Sequence, residues 1–126
     1  MLIWYFRGNQ KAKDTISSVP YDSRLISSLC IMELIQGCRD KQEIKLIKEF
    51  IKTNISLTLF PNEIICGKAI LLLERYAASD GLRTVDAVIA ASALVNNATL
   101  ATSNFKHFKN ISNLSTLRFL PSVADN

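Results

Sequence analysis

The sequence predicts an α/β domain with a mostly parallel central sheet, and two observations carry that expectation. Short strand-like segments alternate with longer segments of helical apolar spacing, and neighbouring parallel strands need helical crossovers of this kind. The chain has 126 residues, 48% of them hydrophobic, which is enough for one domain with a real core and too little for two. Residues 1–126 are therefore expected to form a single domain. No internal repeat or low-complexity segment interrupts the alternation.

The segments follow in order. Leu2 to Phe6 is bulky and apolar, and Arg7-Gly8-Asn9 breaks it before a short polar helix candidate, Gln10 to Ser18. Pro20-Tyr21-Asp22-Ser23 reads as a turn, and Arg24 to Ser28 as a short strand whose serines can cap the next helix. From Leu29 the apolar spacing is helical through Ile31, Leu34 and Ile35 until Gly37. Asp40 can cap a second helix to about Lys52, with Ile44, Ile47 and Ile51 on one side. Lys41, Lys45, Lys48 and Lys52 form a stripe on another side, which reads as a solvated face rather than a nucleic-acid groove. Ile55 to Leu59 alternates like a strand, and Pro61 opens a long helix that Ser79-Asp80-Gly81 ends. Thr84 is a natural cap for a helix from Val85 to about Asn96, followed by the strand Thr99 to Thr102. A last strand candidate, Thr116 to Leu120, precedes Pro121.

Composition narrows the function only slightly. A balance of 15 Lys+Arg against 11 Asp+Glu gives a net charge of +4, which suits a polyanionic partner without requiring one. Cys30, Cys38 and Cys66 are odd in number and contain no C-x-x-C pair, so they read as reduced, buried thiols of a cytoplasmic protein. The apolar start has no basic residues before it and meets Arg7 at once, and no stretch reaches the length of a membrane span. Gly-rich phosphate loops, nucleophile elbows and Cys/His metal patterns are absent. Any catalysis would be carboxylate and metal chemistry.

Three polar residues fall where an α/β sheet gathers its function, beyond the carboxyl ends of strands. Asp86 is the only charged residue between Arg83 and Lys106. At the second helical position after Thr84, its charged form is favoured by the helix dipole and the free N–H groups. It either ligates a hard cation or merely stabilises the helix start. Glu33 interrupts the apolar run from Cys30 to Ile35, and its helical neighbours Leu29, Cys30, Gln36 and Gly37 make a mixed, partly small face. It is a ligand candidate or an ordinary solvated position. Asn104, just past a strand, either orients a water or ligand through its amide or serves the turn. His107 is the only histidine and reads as a surface residue.

These segments, in this order, resemble the PIN-domain ribonucleases, in particular the VapC-type toxins of prokaryotic toxin–antitoxin pairs. Leu2-Ile3-Trp4-Tyr5-Phe6-Arg7-Gly8-Asn9 looks like the start of that family's first helix, and Ile26-Ser27-Ser28 with Met32-Glu33-Leu34 and Gly37 looks like its second strand and acidic helix. Gly81-Leu82-Arg83 with Asp86-Ala87, Ile89-Ala90-Ala91 and Ala93-Leu94 is similar to its most recognisable block, and Thr99 to Asn104 with His107-Phe108 to its closing block. The resemblance implies a three-layer α/β/α sandwich in which Glu33 and Asp86 bind Mg²⁺ or Mn²⁺ and Asn104 completes the catalytic set. It further implies hydrolysis of single-stranded or looped RNA, a VapB-type antitoxin as partner and a homodimer.

The same resemblance places the family's first strand and first catalytic aspartate ahead of Leu2-Ile3-Trp4, where this sequence has no residues. The expectation is a gene product that starts upstream of Met1, or a decayed, inactive copy. A chain of these 126 residues alone is expected to be poorly soluble and to have little or no nuclease activity. The rivals to the nuclease are a PIN-like module that binds antitoxin or RNA without cleaving, and a structural interaction subunit.

Overall fold

The computed structural model describes residues 10–102 and 105–118. The expected helix start at Leu2-Asn9, Asn104, and the end of the last strand at Phe119 and Leu120 lie outside the described residues. The chain groups into two compact units, whose described parts are residues 10–60 and 61–118. Among the described residues the strands pair two by two, both pairs parallel, in the α/β class that the alternation predicts.

In residues 10–60, helix α1 (Gln10–Ser18) and a single 3₁₀ turn (Tyr21–Ser23) lead into β1 (Leu25–Ser27). Two helices, α2 (Ser28–Gln36) and α3 (Lys41–Asn54), then cross over to β2 (Leu57–Leu59). Leu25 pairs with Leu57 and Ser27 with Leu59. The Ser56 N–H donates to the Arg24 carbonyl at 3.0 Å, so the pairing begins one residue before the strands themselves.

The caps are those the sequence offers. Ser27 Oγ accepts from the Leu29 N–H at 3.2 Å, and Asp40 Oδ1 accepts from the Glu43 N–H at 2.9 Å. Glu43 answers by accepting from the Arg39 N–H and its Nε, both at 2.8 Å, which holds its carboxyl below the usual carboxylate range. The buried residues are few: Ala12, Ile16, Ile26, Ile47 and Phe50 form the apolar interior, with Ser27 and Ser28 beside them.

Residues 61–118 have a larger core. The long helix α4 (Glu63–Asp80) packs against α5 (Thr84–Val95), which is followed by β3 (Leu100–Thr102), the one-turn helix α6 (Phe105–Phe108) and β4 (Thr116–Arg118). Ile65, Ala69, Leu72 and Tyr76 from α4 meet Ala87, Ala90 and Ala91 from α5, with Leu82, Phe108 and Ile111 closing the cluster. Alanine is what lets two helices approach this closely. The Tyr76 hydroxyl accepts from the Ser112 N–H at 3.1 Å and lies 3.3 Å from Ser112 Oγ, tying α4 to the turn before β4.

The strands are shorter than expected, with Ser28 already helical and β2 and β3 starting at Leu57 and Leu100, and two helix starts differ as well. Pro61 does not open the long helix; Asn62 caps it, Oδ1 accepting from the Ile65 N–H at 2.9 Å, and the helix begins at Glu63. Nor is Thr84 a cap. Arg83 holds the extended cap conformation with no side-chain bond, and Thr84 is the first helical residue, so Asp86 is the third helical position, still within the first turn. Gly81 ends α4 as expected, with φ of 70° and its N–H bonded to the Ala77 carbonyl at 3.1 Å.

The thiols are free, but they are not all buried: Cys30 and Cys38 are half-buried, whereas Cys66 is exposed on α4. That helix carries apolar residues on every side, and Cys66 falls away from the α5 seam. No helix among the described residues is long and apolar enough to cross a membrane.

Candidate functional site

Asp86 sits where α5 leaves its cap, in the turn whose N–H groups have no intrahelical partners, so its carboxylate meets the positive end of the helix. Ala87 beside it is fully buried in the α4–α5 seam, which fixes the backbone that carries Asp86. The carboxylate itself is 22% exposed, and its Oδ2 lies 3.4 Å from Nδ1 of His107 on α6. His107 is thus half-buried against a carboxylate, not a free surface residue. Sequence reading missed this pairing because 21 positions separate the two residues and only the packing of Phe108 and Ile111 brings α6 to the start of α5.

Glu33 belongs to the other unit. It is exposed on α2, nearly two turns beyond the Ser27 cap and one turn before Gly37, whose N–H bonds the Glu33 carbonyl at 3.1 Å. Its charge reaches Cys30 one turn earlier. Burial first, and then Glu33, push the Cys30 thiol up to about 11, so this cysteine is a neutral, inert neighbour of the carboxylate. At the start of the same helix, the hydroxyl of the buried Ser28 has no hydrogen-bond partner among the described residues. Asn104 lies outside the described residues.

Among the described residues no three His, Cys, Asp or Glu side chains gather into a group that could hold a metal. The donors present are nevertheless of the right chemistry: carboxylate oxygens suit hard cations such as Mg²⁺ and Mn²⁺.

Solved structures share this fold. A chain of the VapBC-1 structure from nontypeable Haemophilus influenzae is 28% identical, with a TM-score of 0.75 over 93% of this chain and 92% of that one. A chain of a toxin–antitoxin complex from Klebsiella pneumoniae is 24% identical, with a TM-score of 0.77 over 94% and 93%. A chain of VapBC2 from Rickettsia felis, bound to a DNA fragment from its promoter, is 24% identical, with a TM-score of 0.63 over 75% and 74%. No curated protein sequence matches the chain. Residues 1–114, which carry both the Glu33 helix and the Asp86 helix, match the PIN domain family, and the chain belongs to that family.

Proposed function

We propose that the protein is a divalent-metal-dependent endoribonuclease, the toxin of a type II toxin–antitoxin pair, working in the cytoplasm. The observation that carries this reading is the family match across residues 1–114, a span that includes the carboxylate of Asp86 in the first turn of α5. The fold likeness to VapBC and other toxin–antitoxin structures supports the toxin role and a VapB-type antitoxin as partner. A second copy of the chain is the other partner of this reading.

Asp86 and Glu33 would be the residues that hold Mg²⁺ or Mn²⁺, each offering an anionic oxygen, while Asn104 would orient a water or the phosphate through its amide. When bound, the cation neutralises charge on the phosphate under attack and assists ionisation of the attacking water. The start of α5 would direct the Asp86 side chain toward the unpaired N–H end of the helix. His107 keeps one side of that carboxylate occupied.

Two measurements on the same samples test the reading: calorimetric titration with Mn²⁺, and cleavage of a labelled single-stranded RNA. Metal-dependent cleavage that Asp86→Asn and Glu33→Gln both lose, together with a loss of Mn²⁺ binding, is the expected result. Antitoxin or RNA binding without cleavage assigns the chain instead to the catalytically silent PIN-like modules. Variants that fold and behave like the parent in both measurements remove the metal site altogether.

A further inference from the structure

Helix α3 carries Lys41, Lys45, Lys48 and Lys52, and at 100° per residue the four fall within an arc of about 60° along about 16 Å of helix. All four are exposed. The face opposite holds Ile47 and Phe50 in the interior, so the stripe points away from the core. With Ile44 and Glu49 the lysines line a shallow surface groove of about 390 Å³. Of the nearby acids, Asp40 caps the helix, Glu43 is bound by Arg39, and Glu49 lines the groove with no ion pair among the described residues. None of the four lysines forms an ion pair among the described residues. Four lysine charges in single file against the one carboxylate of Glu49 leave the groove with a net positive charge, a field that an anionic chain would relieve.

We infer that this face of α3 binds the phosphate backbone of single-stranded RNA. The single file is the reason for one strand: it follows one row of phosphates, whereas a duplex presents two. No aromatic side chain lines the groove, so there is no platform on which bases would stack, and the contact is indifferent to sequence. The choice of RNA over other polyanions rests on the ribonuclease reading, but the contact itself lies on α3 and requires neither Asp86 nor metal.

The test compares two variants of equal net charge, Lys45→Gln/Lys48→Gln and Lys11→Gln/Lys13→Gln on α1. The probe is a labelled single-stranded oligoribonucleotide in EDTA, its affinity read by fluorescence anisotropy from 50 to 200 mM salt. Each phosphate contact on a single strand contributes about 0.7 to the slope of log K against log salt. The α3 pair should therefore lower the slope by about 1.4, so that the parent loses about sevenfold more affinity than this variant across the range. The α1 pair should match the parent. Equal slopes for both variants overturn the inference. So does tight binding of duplex DNA that the α3 pair weakens by the same factor, since the face would then be a general polyanion contact. Because EDTA removes divalent metal, salt-dependent binding through α3 with no cleavage in the metal assay would overturn the nuclease reading alone.

Discussion

Residues 10–60 and residues 61–118 each contain one parallel pair of strands and one candidate carboxylate, but they hold that carboxylate differently. Glu33 stands exposed on a helix over a small interior of five apolar residues, and its main effect is on the thiol one turn away. Asp86 is attached to a seam of ten buried residues and faces a histidine. An exposed carboxylate keeps its hydration and its freedom of approach, whereas a half-buried one is tolerated because the helix start and His107 offset lost hydration. Asp86 is fixed in position within its unit, whereas Glu33 is open to approach within its own.

The largest effects test whether the interiors differ as described. Leu72→Ala opens the α4–α5 cluster and should cost about 3–4 kcal/mol in urea unfolding, while Ile47→Ala in the smaller interior should cost about 2 kcal/mol. Equal losses would break the contrast. Next come two glycines with opposite signs. Gly81→Ala must place a side chain at φ of 70° and should lower stability by about 1–2 kcal/mol, although the space around it is open. Gly37→Ala, at φ of −81° and with only ordinary contacts awaiting a Cβ, should be neutral or raise stability by about 0.5 kcal/mol. A thermal melt of each reads the difference directly.

A smaller effect isolates the start of α3. Asp40→Ala should cost about 1 kcal/mol by releasing the Glu43 N–H. Glu43 has its carboxyl depressed by Arg39, so its contribution is present above the ordinary carboxylate pKa and fades as pH falls through the lower folded value. The stability gap between the parent and Glu43→Gln should accordingly be visible near neutrality and close in acid. The least perturbing test uses the thiols alone: iodoacetamide should label exposed Cys66 first and Cys30 last, since burial raises the latter to about 11. Rapid labelling of Cys30 would show that the thiol itself is less buried than described.

Much of this was legible in the sequence because it depends on neighbours. Ser27, Asp40 and Gly81 act on backbone groups within three or four residues of themselves, so the residue type and the onset of apolar spacing suffice to place them. Thr84 shows the limit of that logic. A hydroxyl residue before a helix is a good cap only if the backbone leaves it extended, and here Arg83 takes that conformation instead. The long helix α4 hides its buried face for a related reason: Ile64, Ile70 and Leu71 are exposed while Ile65, Ala69, Leu72 and Tyr76 are covered, and a helix apolar all round has no periodic signature of which is which. The Asp86–His107 contact and the Tyr76–Ser112 clasp join residues 21 and 36 positions apart, where only the finished packing decides.

The alanines of α5 carry one more consequence. Ala87, Ala90 and Ala91 are wholly enclosed, and alanine has no side-chain torsion to choose. On the α5 side the seam therefore offers no alternative rotamer set, and any choice is left to Ile65, Leu72 and Tyr76 of α4, held in a buried cluster. Such a contact is either seated or separated. The residue next to Ala87 inherits that all-or-none placement: Asp86 is aimed by the absence of choices beneath it, and a single added methylene at Ala87 or Ala90 would shift the carboxylate without touching it.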